Sequence, residues 1–460
     1  MIKLLMLFFI LINVFACGRI SLTGVHPVAS SVVDDGKIYG PNGSVIGDED
    51  VGLYSSIALD ESDIPLIAYY DATNTRLKFA NWDDREGKWK IEVVDNTDDV
   101  GAYTSLTVIK GKPFISYYDR TNGNLKLAFR VMDLWKTFTV DQGGPANYDV
   151  GKYTSISSAP EGRVCISYYD SSNGDLMLAC WDGMSYDENG TPAFTIESVD
   201  AYADPTGGET GMYTSLKINP SGQEFIAYYD ASHGDPKLAI RTESGWRKLT
   251  VGSKLKGIVL NPDPVTHKAF LSPPSTFVYS EITVFKNGVA MEPEIGYTLD
   301  APNEITIIDY DPTAAYTADY VTSPDDDGTW IKLALRSDDT PVVAFHNRTA
   351  GTLTYAELDM SNIEWHLQTV DAGNVGTDIS LTLSANDDPV ITYFDNAYMD
   401  LKLAYRRNGF WNVDTIGTTG ISGLWSSCIL DSSGILHISY YQTREPNAGD
   451  LLYAKFTLSR

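Results

Sequence analysis

Apolar and polar residues alternate with a period of two through most of this chain, in short runs separated by turns rich in Asp, Asn, Gly and Thr, and this pattern predicts β-strands. Five of these runs are nearly the same sentence: LIAYYDATNTRLKFA from Leu66, FISYYDRTNGNLKLA from Phe114, CISYYDSSNGDLMLA from Cys165, FIAYYDASHGDPKLA from Phe225 and VITYFDNAYMDLKLA from Val390. Weaker copies begin at Val343 and His437. The residue after the paired aromatics marks the repeat at Asp71, Asp119, Asp170, Asp230, Asn347, Asp395 and Gln442, with intervals of 48, 51, 60, 117, 48 and 47. The long interval is one repeat plus an insertion of about 69 residues.

Each unit reads as four strands, A to D. Strand A begins near Tyr54, Tyr103, Tyr153, Tyr213, Trp330, Asp378 and Trp425; strand B ends in the paired aromatics, and strand C is the LKLA run. Strand D opens on an aromatic and ends six residues later: Trp89 to Asp95, Trp135 to Asp141, Phe194 to Asp200, Trp246 to Gly252, Trp365 to Asp371 and Trp411 to Gly417. Only six D strands follow a C strand, yet the segment Val28 to Asp34 carries the D pattern ahead of the first A strand. Pairing it with residues 451–456 supplies the missing strand and removes a free sheet edge. The expected fold is all-β: a seven-bladed β-propeller closed by an N-terminal strand, spanning residues 28–254 and 323–460. Residues 255–322 form an inserted small β module, in which Asn287-Gly288 is a hairpin signal.

The apolar stretch within residues 1–16 is too short to span a bilayer and reads as a signal peptide, with residues 17–27 as a tether. Val14-Phe15-Ala16-Cys17 resembles the bacterial lipobox, which implies lipidation at Cys17 and an otherwise soluble domain held at a membrane by that anchor alone. Within that resemblance, Gly18 fits the outer membrane; plain secretion is the alternative.

Thirty-four Lys and Arg against 61 Asp and Glu give a net charge of −27, which argues against nucleic acid as a partner. The carboxylates mark one face. B–C turns contribute Asp71, Asp119, Asp170, Asp230 and Asp395, and D-strand ends contribute Asp34, Asp95, Asp141, Asp200 and Asp371. As ligands they suit a cation such as Ca²⁺; as turn residues they fold back on nearby amides. Their recurrence in nearly every unit favours the second role, because a catalytic site needs one asymmetric constellation. Of each Tyr pair, one ring is expected between blades and the other toward the rim. Cys165 and Cys180 lie five residues either side of Asp170 and Asp175, so a symmetric hairpin sets them opposite for a disulfide, whereas a bulge forbids it. The six histidines show no paired spacing, and no nucleophile elbow or P-loop appears.

The YYD repeats resemble those of bacterial surface and secreted proteins whose propellers are similar to the sialidase-like superfamily; the resemblance implies a fold more than an activity. Asp-box turns and an arginine triad are missing, Ser323 to Trp330 being one misspaced echo of the box. The insert, through ITVFKNGVAMEPEIGYTL and ITIIDYDPTAAYTADYV, resembles β modules of phage tail fibres. Three functions remain open: a monomeric, non-catalytic surface lipoprotein binding a glycan or protein on the carboxylate face, without a cofactor; a glycan-active hydrolase or lyase on that face; or a structural envelope lipoprotein. Because the insert is the least repeated feature of that face, it is expected to carry the function.

Overall fold

Every regular element among the described residues is a β-strand, as the two-residue alternation requires. The computed structural model describes residues 25–144, 148–201, 208–271, 278–301, 304–323, 326–444 and 448–458. The segment expected to be a signal peptide and the expected lipidation site Cys17 lie outside these residues.

Each repeat folds as a four-stranded antiparallel sheet in the order A-B-C-D, the first being Val51–Leu59, Pro65–Asp71, Arg76–Asp83 and Lys88–Asp95. Strand B is buried along its whole length in this sheet, because both of its faces pack on neighbouring sheets. Hence its sequence is apolar nearly throughout. The outer D strand alternates and is largely exposed before its buried Val94-Asp95 end. The cores are shared between repeats: Ala58, Leu66 and Phe79 of the first sheet pack with Ile115, Tyr117 and Ala128 of the second. A single repeat therefore cannot bury its own apolar faces.

The A strands meet in a cycle. Val51–Leu59, Val100–Ile109, Val150–Ser158, Thr210–Ile218, Asp327–Leu335, Val375–Leu383 and Ser422–Leu430 each lie against the next, and the last lies against the first. In the final repeat, Val25–Asp34 pairs antiparallel with Gly449–Leu458, placing Ser30 opposite Ala454 and Ser31 opposite Tyr453. The fold is all-β, made of four-stranded antiparallel sheets in an arrangement consistent with a propeller.

Between the fourth and fifth repeat sheets the chain builds two further sheets. One contains Ser253–Leu260, Tyr316–Ser323, Val278–Lys286 and Val289–Ala290; the other contains Lys268–Phe270, Glu304–Ile307 and Tyr297–Ala301. They enclose a separate core around Leu260, Val284, Ile305 and Tyr320, and Asn287-Gly288 forms the tip of a hairpin. A small hairpin, Lys37–Tyr39 with Val45–Asp48, precedes the first A strand and has no counterpart in the sequence reading.

Candidate functional site

Each A strand has a Gly as its second residue, two ahead of the position at which the sequence pattern begins. Gly52 has φ +105°, and a Cβ there would meet the Leu451 Cα at 2.9 Å; Gly101 has the same role against Leu77. Only glycine permits that approach. The bulges that follow turn the next residue but one into the left-handed region: Tyr54, Tyr103, Tyr153, Tyr213, Trp330, Asp378 and Trp425 all have φ between 49° and 55°. That geometry costs roughly 1–2 kcal/mol per residue for an L-amino acid. Hydrogen bonds from the neighbouring repeat hold it: Thr154 Oγ1 donates to the Tyr103 carbonyl at 3.0 Å, Thr214 to Tyr153 at 2.9 Å and Ser55 to Trp425 at 2.8 Å.

The turned residues converge on the axis. Ring centroids are 4.9 Å apart for Tyr54–Tyr103, 4.7 Å for Tyr103–Tyr153, 4.6 Å for Tyr153–Tyr213, 5.0 Å for Tyr213–Trp330 and 5.3 Å for Tyr54–Trp425. They form a collar of six half-buried rings around a cavity of about 460 Å³. At the rim, Arg120 lies over Tyr54 and Tyr70 and donates to the Tyr54 hydroxyl at 3.0 Å. Below the collar runs a layer of serines that each accept an N–H from the next A strand, as Ser56 does from Leu106 and Ser215 from Leu333, both at 3.0 Å.

Two adjacent repeats break this symmetry. Asp378 stands where the other six carry Tyr or Trp, and Lys332 where the other six carry Ser. Both border the cavity. Enclosure within the ring pushes the Asp378 carboxyl up to about 6, against a hydrogen bond from the Trp425 N–H at 3.1 Å and the field of Lys332. Enclosure, with Lys217 nearby, pushes the Lys332 ammonium down to about 8. Lys217, one layer deeper in the preceding repeat, lines a second cavity of about 530 Å³ and is likewise lowered by enclosure, although its side chain opens onto the lumen. Beside the collar, His346 is buried 6.0 Å from Trp330; its Nδ1 meets Thr329 Oγ1 at 3.1 Å and its Nε2 has no hydrogen-bond partner among the described residues. Burial lowers its pKa.

The sequence-predicted carboxylates gather into junctions between repeats. The D-end Asp accepts the first Tyr hydroxyl of the following repeat: Tyr69 to Asp34 at 2.7 Å, Tyr117 to Asp95 at 2.6 Å, Tyr168 to Asp141 at 2.5 Å, Tyr228 to Asp200 at 2.7 Å and Tyr393 to Asp371 at 2.6 Å. The strand-C lysine of the following repeat joins the same carboxylate in four of them, Lys78 on Asp34, Lys126 on Asp95, Lys402 on Asp371 and, more loosely at 4.0 Å, Lys237 on Asp200. That lysine also approaches the B–C turn carboxylate, Lys78 at 3.9 Å from Asp71, Lys402 at 3.6 Å from Asp395 and Lys237 at 2.5 Å from Asp230. The turn carboxylates also bind turn groups: Asp119 accepts from the Asn122 N–H at 3.0 Å, Asp170 from Ser172 at 2.9 Å and Asp395 from Ala397 at 3.0 Å. The second Tyr of a pair reaches the next D–A connection, as Tyr70 does to Asp99 and Tyr441 to Asp50.

Cys165 and Cys180 are directly opposite in register and form a disulfide, with Cα atoms 4.1 Å apart. Among the described residues, the one grouping of His, Cys, Asp and Glu atoms close enough to share an ion is these two sulfurs with Glu224. The sulfurs are already bonded to each other.

A ring of antiparallel four-stranded sheets with an axial, aromatic-lined cavity is thus the class the geometry defines. No family model matches the chain, and no curated protein matches it. Solved structures do: a polysaccharide lyase, 8% identical over 92% of each chain with a TM-score of 0.48, and the GH93 α-L-arabinofuranosidase of Fusarium graminearum in complex with arabinobiose, 10% identical over 92% of this chain and 97% of that one, with a TM-score of 0.43. A protein of unknown function from Dyadobacter fermentans is 8% identical over 95% of this chain and all of that one, with a TM-score of 0.46.

Proposed function

We propose that the seven repeat sheets are the blades of a seven-bladed propeller closed by the N-terminal strand, that the protein is an exported lipoprotein anchored through Cys17 at the outer membrane or cell surface, and that it binds a saccharide in the axial cavity. The observation that carries the binding reading is the collar: six aromatic rings around about 460 Å³ offer flat apolar faces to the C–H faces of sugars. The domain division follows the same lines, with residues 255–322 as a peripheral module and no cofactor required. The ten repeated carboxylates are engaged in junctions and turns, so the ligand site moves from them to the axis.

The test is saturable binding of oligosaccharides to the protein from Gly18 onward, by calorimetry, with Trp330→Ala and Tyr103→Ala as variants. A loss of tenfold or more in each, about 1.4 kcal/mol, supports the site. Unchanged affinity removes the collar from the account. A second reading, a hydrolase or lyase, is favoured by one observation: Asp378 and Lys332 are an asymmetric acid and base with shifted protonation in that cavity. Product release that Asp378→Asn abolishes would replace the binding-only reading.

A further inference from the structure

The cavity holds a charge that the repeat does not call for. Six repeats place a serine below the collar, and each of these keeps its layer neutral; the fifth places Lys332 there, and the fourth places Lys217 one layer beneath. Neither ammonium has a hydrogen-bond or ion-pair partner among the described residues. Their position is unusual in this molecule: the strand-C lysines Lys78, Lys126 and Lys402 all sit on carboxylates, whereas half-buried Lys332 and the more open Lys217 do not. Asp378, the acid that borders the collar cavity with Lys332, spends one oxygen on the Trp425 N–H, while Lys217 borders the second cavity together with Arg336, Asp339 and Asp387, in a protein of net charge −27. An unpaired cation held away from bulk water is stabilised by an anion that enters with its own hydrogen-bond acceptors.

Resting on the saccharide reading of the collar, we infer that the cavity selects acidic saccharides: the sugar ring lies against the aromatic wall and its carboxylate or sulfate group is received by the Lys332 ammonium, with Lys217 adding to the field from below. The long-range field of the protein opposes approach of such a ligand, so selection is made inside the channel and not by steering from a distance. Bringing an anion to Lys332 raises that group's affinity for its proton, so binding near pH 8 takes up a proton from solution.

Calorimetric titration of the protein from Gly18 onward with three probes tests this: a tetragalacturonate, a sulfated neutral tetrasaccharide and an uncharged cellotetraose. Binding of either acidic probe at least tenfold tighter than cellotetraose, reduced toward the neutral value by Lys332→Ser, supports the inference, and the stronger of the two acidic arms identifies carboxylate or sulfate. Lys332→Ser restores the residue of the other six repeats, so loss of fold does not confuse the result, and circular dichroism of that variant checks it. For the favoured acidic probe, heats measured at pH 8 in two buffers of different ionisation enthalpy should differ in wild type and agree in Lys332→Ser. Equal affinity for all three probes overturns the acidic selection while leaving the collar intact. No binding by any probe overturns the saccharide reading itself.

Discussion

Asp95→Ala should be among the most damaging single substitutions outside the apolar core. The Asp95 side chain accepts Tyr117 Oη and Lys126 Nζ, each at 2.6 Å, and Thr97 Oγ1 at 2.8 Å, while Lys126 itself is only 8% exposed. Removing the carboxylate strands a buried ammonium and a buried hydroxyl at once, and breaking such a pair from one side costs about 3–5 kcal/mol. Asp141 provides an internal control. There the following repeat carries Met177 in place of the lysine, so Asp141→Ala loses the Tyr168 hydroxyl at 2.5 Å and the Gly143 amide, without stranding a cation. Its expected cost is about 1–3 kcal/mol. Asp95→Ala combined with Lys126→Met imitates the Asp141 junction and should recover at least half of the Asp95→Ala loss. Urea unfolding followed by tryptophan fluorescence, with midpoints compared at constant slope, measures all three. Equal losses at Asp95 and Asp141, or no recovery in the double variant, would refute the idea that the lysine makes this junction costly to break.

Lys332→Ser should stabilise the unliganded protein by about 0.5–1.5 kcal/mol, because it returns an acceptor for the next A strand and removes an unpaired ammonium; a urea midpoint that falls would contradict this. Asp378 has a folded pKa raised above its unfolded value, so its contribution is fully present at acid pH and is lost as pH rises from about 4 through about 6. Asp378→Asn should therefore flatten that part of the stability profile, read as melting temperature against pH, and an unchanged profile would count against an enclosed acid. Asp95 behaves oppositely: burial raises its pKa, but the hydrogen bonds from Lys126 and Tyr117 outweigh it and leave the carboxyl below its usual range. Its stabilisation is present above pH 4 and lost on acidification, so Asp95→Asn should reduce the acid sensitivity of the fold. Deleting residues 25–34 uncovers the Gly449–Leu458 edge and removes Asp34 from Tyr69 and Lys78; light scattering should show association of that truncated protein, and a monomer as stable as wild type would contradict closure by this strand.

The four-strand repeat and the pairing of Val25–Asp34 with Gly449–Leu458 were legible because alternation, turn residues and a missing D strand are all properties of one line of sequence. The Asp residues were legible as a set, and in the structure they hydrogen-bond turn amides, tyrosine hydroxyls and lysines. Their long-range partners were less so, since Asp95 meets Tyr117 and Lys126 only when two repeats dock. A signal was nonetheless present. Where the D end is Gly252 or Gly417, the next repeat places Thr354 or Leu452 at the lysine position, so at these two junctions acid and lysine are absent together. The collar was hidden for a different reason. Tyr54 and its counterparts read as ordinary strand residues, because alternation does not reveal a bulge with positive φ that turns a side chain toward an axis. Asp378 and Lys332 could have been found by asking which residues depart from their own repeat instead of which ones recur. The insert drew attention for being unrepeated, but it builds a core of its own, and the asymmetric charges lie inside the ring.

The most direct test of the axial site is a crystal of the protein from Gly18 onward soaked with tetragalacturonate. The expected result is sugar density inside the collar, a ring in contact with Tyr103, Tyr153 or Trp330, and a carboxylate within hydrogen-bond distance of Lys332 Nζ. Density confined to the B–C turns or to the inserted module, with an unoccupied channel, would contradict it.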